Sequence, residues 1–186
     1  MTRFDAANSD CRIFTRRAGV LGAVGHDLEL RVADYRIDLE EGPLRVDAQF
    51  SAASLRMVGV VEHGRTLTGR LSTHDTEQIQ RQIAEEVLQS AVHALIEFHS
   101  TRVERRAQEY RIEGLLELHG VERELHLIAR PDGAARLLVS EAVLHQPDFG
   151  IKPFRAFGGA LRVRPEVTVR VSVPLAALAA FATPSE

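Results

Sequence analysis

Apolar and polar residues alternate with a period of two along much of this 186-residue chain. In the clearest stretch, from Leu161 to Val173, every odd-numbered position is apolar or proline and every even-numbered position is polar or charged. This pattern is typical of a long antiparallel strand with one face in water. Pro165 lacks the backbone N–H that a sheet ladder needs, so it predicts a bulge or an edge at that point.

The same alternation predicts strands over residues 44–51, 110–118 and 121–129. A turn at Asp132-Gly133 then leads into a further strand over residues 135–144. Because consecutive strands joined by short turns pair with one another, the pattern indicates an antiparallel meander.

The alternation changes phase inside one long stretch. Apolar residues hold even-numbered positions from Leu28 to Val32 but odd-numbered positions from Tyr35 to Leu39. A change of phase would move the apolar set to the other face of the sheet, so we predict a bulge or a sharp bend between Val32 and Tyr35. Such a bend lets a sheet curl, and it favours a closed barrel over a flat sandwich.

One segment, residues 73–90, has helical spacing instead. Ile79, Ile83 and Val87 recur along it, and residues 72–75 (STHD) offer a capping box at its start. We therefore predict one amphipathic α-helix with its apolar stripe facing the sheet, and a short second helix over the alanine-rich residues 174–181. No linker or internal repeat divides the chain, so residues 1–186 are predicted to form one mainly β domain of about eight antiparallel strands.

Composition and charge exclude several classes of protein. Hydrophobic residues make up 45% of the chain, charged residues 26%, and the formal net charge is −3. No apolar run reaches the ~18 residues of a membrane helix, and the basic excess of a nucleic-acid binder is absent. Cys11 is the only cysteine, which excludes an internal disulfide. The N-terminal residues lack the apolar core of a signal peptide, so we expect a cytoplasmic protein.

The histidines are the first candidates for chemistry. None of the eight belongs to an H-x-H or HExxH pattern, so we predict neither a metal site nor a cofactor. His26 has the phase of Leu28 and Leu30 and should point into the barrel. There it would hydrogen-bond a ligand's polar group or act as a general base; alternatively, it is a core histidine satisfied by a carbonyl or a carboxylate.

Two further segments have alternative interpretations. Phe149, Phe154 and Phe157 crowd the glycine-rich residues 148–159, which would form either a mobile aromatic lid or a loop that plugs one end of the barrel. Residues 102–106 hold three arginines that could attract an anionic head group. Glutamates interleave with them, which favours a solvated turn.

Several short stretches match motifs of one known family. Residues 118–125 (LHGVEREL) resemble its LHGVTRPV hairpin, residues 148–151 read DFGI, and residues 25–28 read GHDL. Val87-Leu88, followed by residues 96–100 (IEFHS), is similar to its helix exit and I-x-F-x-S strand. In this order the stretches resemble the YceI-like family of lipocalin-like proteins, over nearly the whole chain.

The resemblance implies an extended antiparallel β-barrel with a helix across its mouth. It also implies an apolar tunnel that binds a polyisoprenoid, an isoprenoid quinone or a fatty-acyl chain. Many relatives are periplasmic, and dimers are common among them. The chain departs from the family at residues 76–79 (TEQI), where relatives have a charged R-D-x-H-L segment, and at residues 145–147 (HQP), where many carry arginine.

The leading hypothesis is a non-catalytic carrier that sequesters a long apolar ligand inside the barrel. Each buried methylene contributes about 0.8 kcal/mol, so such a ligand needs few polar contacts. The candidate ligand-binding residues are Phe14, His26, Leu28, Leu30, Val46, Phe50, Ile96, Phe98, Ile112, Leu116, Leu118, Phe149, Phe154, Phe157, Val167 and Val169. Two alternatives stay open: an enzyme acting on a lipid-like substrate with His26 as base, and a filled barrel that serves as a dimeric interaction module.

Overall fold

The computed structural model describes residues 1–18, 25–107 and 109–176. Most of them lie in antiparallel strands. In chain order the strands are β1 (Thr2–Phe4), β2 (Asp10–Thr15), β3 (Arg17–Ala18), β4 (Asp27–Val32), β5 (Tyr35–Glu41), β6 (Leu44–Ser51), β7 (Leu55–Glu62), β8 (Arg65–Leu67), β9 (Leu95–Arg106), β10 (Glu109–Leu118), β11 (Val121–Asp132), β12 (Leu137–His145), β13 (Arg155–Ala156), β14 (Leu161–Val163) and β15 (Glu166–Pro174).

Within the described residues, twelve strands form one sheet in the order β1-β5-β6-β9-β10-β11-β12-β15-β2-β4-β7-β8. The remaining three form a small sheet in the order β13-β14-β3. The predicted meander is present from β9 to β12, because each of these strands pairs with the next. A tight turn joins β10 to β11 through His119 and Gly120, both with positive φ, the backbone conformation that a two-residue hairpin requires.

One bent strand curls the large sheet. β4 pairs with β2 and β7, whereas β5, which follows after two residues, pairs with β1 and β6. At the bend, the Ser54 hydroxyl accepts a hydrogen bond from the Asp34 N–H at 3.0 Å, and the Ser54 carbonyl accepts one from the Ala33 N–H at 3.1 Å. The bend lies where the change of phase predicted it. It joins β5, which lies next to one edge of the sheet, to β4, which lies near the other edge, so the sheet curls as in a lipocalin-like barrel.

The fold class is therefore confirmed, although there are more strands than the eight predicted. Two predicted strands are each divided: the first into β4 and β5 by the bend, and the second into β14 and β15 at Arg164-Pro165. The break at Pro165 follows from its missing N–H. The Pro165 carbonyl accepts a hydrogen bond from the Gln146 N–H at 2.9 Å.

Helix α1 (Thr73–Gln82) continues into a π-helical turn, Ile83–Val87. The Ser72 side chain caps it by accepting a hydrogen bond from the Asp75 N–H at 3.1 Å, as the capping box predicted. The Gln80 side-chain oxygen accepts a hydrogen bond from the Met57 N–H at 2.8 Å, which attaches the helix to β7. Most of the second predicted helix, 174–181, lies outside the described residues; Pro174 itself ends β15. No helix in the described ranges is long and apolar enough to cross a membrane.

Candidate functional site: an apolar cavity

The curled sheet and α1 enclose a cavity of about 430 Å³. Its volume lies in the range of roughly 300–1,000 Å³ that is typical of small-molecule sites. Nearly all of its wall is apolar and comes from alternate residues of the long strands, together with the helical stripe. The helix contributes Ile79, Gln82, Ile83, Val87 and Leu88. The cavity therefore lies inside the fold and is not a surface groove.

The structure places thirteen of the predicted ligand-binding residues on this wall. They are His26, Leu28, Leu30, Val46, Phe50, Ile96, Phe98, Ile112, Leu116, Leu118, Phe154, Val167 and Val169. Neighbouring strands bring them into shared rows, because Leu116 lies opposite Phe98 and Phe98 lies opposite Ala48. The alternation of the sequence thus identifies most of one continuous wall.

Phe14 does not line the cavity, which corrects the prediction made for it. On β2 the residues that face inward are Cys11, Ile13 and Thr15. Phe14 has the opposite phase and lies in register with Thr168, on the outer face of the sheet. Both phases of this strand carry apolar side chains, so its alternation alone does not show which phase is buried.

The aromatic residues of the 148–159 segment have three different positions. Phe149 is 4% exposed and packs in the hydrophobic core, on a short 3₁₀ turn against β11, without lining the cavity. Phe154 lines the cavity. Phe157 is 77% exposed and points to solvent. Phe149 and Phe157 are thus not part of the wall, and the loop divides into a buried plug and an exposed tip.

His26 lies at the mouth of the cavity, next to Arg17 and Gly25, and it is exposed rather than enclosed. Among the described residues, none forms a hydrogen bond with its imidazole ring. A general base in an apolar pocket is normally oriented by a second polar group. The structure gives His26 a position on the rim, but no such partner among the residues it describes.

A few polar atoms interrupt the apolar wall. Thr15 Oγ1 and Ser140 Oγ are buried and have no hydrogen-bond partner among the described residues. Gln146, by contrast, donates hydrogen bonds to the carbonyls of Arg164 at 3.0 Å and Pro165 at 3.3 Å. Because a buried polar group without a partner costs stability, the two free hydroxyls mark positions where a ligand's polar group would be favourable.

The two hydroxyls lie at different depths. Ser140 is opposite Val171, and Val171 is opposite Cys11. Thr15 lies four residues beyond Cys11 on the same strand, which is about 13 Å nearer the mouth at the usual rise of a β-strand. The wall therefore offers one hydroxyl near the mouth and another deep in the barrel.

Cys11 also faces the cavity, but its thiol is not a nucleophile at ordinary pH. Burial raises the pKa of Cys11 to about 12 from its usual 9.0, and the neighbouring Asp10 adds to the increase. A thiol reacts through its thiolate, and burial in apolar surroundings suppresses that form. Cys11 is therefore an apolar element of the wall.

The sequence reasoning missed several features. It did not select Cys11, Thr15 or Ser140, although two of them share the phase of Ile13 on β2. It also did not place His93 near His119. The centroids of these two imidazole rings lie 4.0 Å apart, beside the β10–β11 turn. Burial and the neighbouring His93 lower the pKa of His119. In the part of the chain that the structure describes, no three His, Cys, Asp or Glu side chains are arranged to hold a metal ion.

The basic run at 102–106 is exposed, as predicted, but it lies on strand β9 and not in the predicted turn. Arg102 and Arg106 both contact Glu104, the latter at 2.9 Å. The hydrogen bond from Arg106, followed by the charge of Arg102, lowers the pKa of Glu104. This run is an exposed ion-pair network on β9.

Comparison with known proteins agrees with this geometry. The family model for the YceI-like domain matches residues 4–175. This chain belongs to the YceI-like family. No curated protein matches it.

A solved structure shows the same fold. BcnA from Burkholderia cenocepacia superposes with a TM-score of 0.61 at 11% identity, over 91% of this chain and 97% of BcnA. The YceI protein of Campylobacter jejuni gives a TM-score of 0.46 at 15% identity, over 66% of this chain and 70% of that protein. At these identities the comparison with BcnA establishes the fold alone.

Proposed function

We propose that this YceI-like protein is a non-catalytic carrier that holds one long apolar molecule in its barrel. The cargo would be a polyisoprenoid, an isoprenoid quinone or a fatty-acyl chain. The observation that carries the proposal is the apolar cavity of about 430 Å³ within the fold. Each methylene buried there contributes about 0.8 kcal/mol, so a long chain binds tightly without a catalytic constellation.

The cavity also weighs against the other two interpretations. A barrel filled by its own side chains would leave no such space, whereas here a cavity separates the inward-facing side chains of β2, β10 and β15. An enzyme with His26 as base would need an oriented base, and His26 is exposed at the rim. The homodimer remains an expectation from the family resemblance, and the cytoplasmic location remains a prediction from the sequence.

Native mass spectrometry of the freshly purified protein tests the proposal. We expect an adduct of several hundred daltons that organic solvent releases and mass analysis identifies. A bare protein mass, together with failure to bind added ubiquinone analogues or fatty amides, would argue for a non-carrier barrel. The protein as purified and the protein after removal of its cargo should first give the same far-UV circular dichroism. Loss of cargo is then not confused with unfolding.

The two unpartnered hydroxyls refine the cargo class. We propose that it bears a neutral hydrogen-bonding group, such as a quinone carbonyl or an amide, at the depth of Thr15 or Ser140. Thr15→Val and Ser140→Ala each remove one hydroxyl, and we expect one of them to weaken binding of a fatty amide about 10-fold, the usual effect of one lost hydrogen bond. A plain hydrocarbon of equal length is the control, and its affinity should not fall. Equal losses for both ligands would show that the hydroxyls do not recognise a polar group.

A further inference from the structure

Five exposed arginines lie on or directly beside the small sheet at the mouth of the cavity. They are Arg16, Arg17, Arg155, Arg162 and Arg164. Arg17 and Arg162 line the cavity itself. The protein as a whole carries a net charge of −3, and residues 149–165 contain no acidic residue. This basic rim, as we call the five arginines, is therefore a local excess of positive charge on a chain that is negative overall.

The small sheet assembles the rim from distant parts of the chain. β14 pairs with β13 on one side and with β3 on the other. The Arg164 N–H also donates to the Arg16 carbonyl at 2.7 Å. Arg155 lies directly opposite Arg162 across the ladder, an arrangement of like charges that destabilises a sheet. The fold thus tolerates an electrostatic cost at this point.

Acidic side chains do not neutralise the rim. In the described ranges, no carboxylate lies within ion-pair distance of Arg155, Arg162 or Arg164, nor of Arg16. Arg162 instead donates from Nε to the Gly159 carbonyl at 2.5 Å. Asp27 is the exception beside Arg17: it accepts a hydrogen bond from the Arg17 N–H at 2.8 Å and lies 3.9 Å from Arg17 Nε.

Phe157 projects from the same small sheet. It begins the Phe157–Gly159 turn between β13 and β14, and its backbone φ is +49°. A bulky residue rarely adopts this left-handed conformation, and 77% of Phe157 is exposed to solvent. Neither the packing nor the backbone of the isolated chain explains an aromatic side chain held there. An exposed apolar side chain beside cations is what a membrane interface accommodates.

We propose that the basic rim docks on a bilayer that contains anionic phospholipids. Phe157 inserts among the head groups, the cations contact the phosphates, and the cavity mouth faces the membrane. A soluble polyanion would satisfy the cations but would leave Phe157 and the apolar mouth in water, so the bilayer is the partner that fits all three features. The inference concerns the outer surface and goes beyond what the cavity holds.

Vesicle co-sedimentation of the full chain tests the docking. The vesicles contain phosphatidylcholine alone or with about one-third phosphatidylglycerol. We expect binding to the anionic vesicles only, and less binding as salt rises from about 0.05 to 0.5 M, because salt screens exposed charges. Arg155→Gln with Arg164→Gln, neither of which lines the cavity, should weaken binding about 30-fold, since each basic residue near the surface contributes about 5-fold. Phe157→Ser should weaken it at unchanged charge.

The matched control is Arg102→Gln with Arg106→Gln, which removes the same charge from exposed arginines outside the rim. We expect this variant to bind like the unmodified chain. Equal losses in control and rim variants, equal binding to both vesicle types, or no binding to either would overturn the proposal. So would binding to heparin as tight as to vesicles and independent of Phe157. The Arg155→Gln with Arg164→Gln variant and the Phe157→Ser variant change no residue of the cavity wall, so both should still take cargo from detergent micelles. This separates failure of docking from failure of the carrier function.

Discussion

Replacing Leu116 with tryptophan separates a hollow barrel from a filled one. Leu116 lies in the middle of β10, opposite Phe98 on one side and Arg123 on the other. Its side chain lines the cavity, and the residue is 6% exposed. Leu116→Trp adds about six non-hydrogen atoms at this point, a difference comparable to several methylenes. In a hollow barrel these atoms enter the space that the cargo occupies.

The two interpretations predict different energies. In a filled core the larger ring would force neighbouring side chains and backbone apart, at a cost of about 1–3 kcal/mol in the free energy of unfolding. In the hollow barrel we expect a change below about 1 kcal/mol. Cargo would lose the burial of about six methylenes, which is about 5 kcal/mol and more than a thousandfold in affinity.

Urea unfolding of the delipidated protein measures the first quantity, and titration with a ubiquinone analogue measures the second. Glu117→Trp is the matched control, because Glu117 is the next residue on β10 and is exposed on the outer face. It should leave both quantities nearly unchanged. A Leu116→Trp variant that binds cargo normally, or that loses about 3 kcal/mol of stability before any cargo is added, would refute the hollow-barrel reasoning.

Three further predictions concern the scaffold. Gly114→Ala should cost about 3 kcal/mol or more in urea unfolding, since the new Cβ would lie 2.5 Å from both the His99 carbonyl oxygen and Phe98 Cζ; a loss below about 1 kcal/mol would show that the strand relaxes. Ser72→Ala should lower the free energy of unfolding by about 1 kcal/mol, because the helix loses its cap. Ser72→Asp should keep most of that stability, because aspartate also caps helices, and thermal unfolding measures both changes. Because the pKa of Cys11 is raised in the folded state, its contribution to the free energy of unfolding is fully present below pH 9. This contribution is lost by about 1.4 kcal/mol per pH unit as the pH rises towards 12. Cys11→Ala should therefore make the alkaline decline of stability shallower, and an unchanged slope in urea unfolding between pH 8 and 11 would contradict the burial of the thiol.

Local patterns predicted the elements because burial of one face leaves a record in the sequence. The strand at 44–51 coincides with β6 (Leu44–Ser51), since its alternation was unambiguous. The helix, predicted over 73–90, begins at Thr73, where Ser72 caps it. The bend between Val32 and Tyr35 followed from the rule that a change of phase needs a bend. In each case the information lies within about ten residues.

The site was less predictable because it depends on pairing between distant segments. β2 carries apolar residues in both phases, and only its register with β15 shows that Ile13 faces inward and Phe14 outward. The basic rim joins Arg17 to residues that follow it by more than a hundred positions, through the pairing of β3 with β14. The alternation around Arg162 and Arg164 predicted that both arginines lie on the solvent-exposed face of a strand. It did not show which other residues would lie beside them.

Among the described residues, one end of the cavity is closely packed, and this packing explains how a hollow barrel remains folded. Beyond the row of Cys11, away from the mouth, Leu138 pairs with Val173 in the buried core, and the buried Tyr35 hydrogen-bonds Ser9 at 2.9 Å. Close packing at this end supplies stability that does not depend on cargo. Towards the mouth, Thr15 lies opposite Leu28, where both side chains face the cavity. Shortening a side chain at the packed end should therefore reduce the free energy of unfolding more than cargo binding. Changing a side chain near the mouth should have the opposite effect. A carrier needs this separation, because its binding end must open for cargo while the rest of the barrel stays folded.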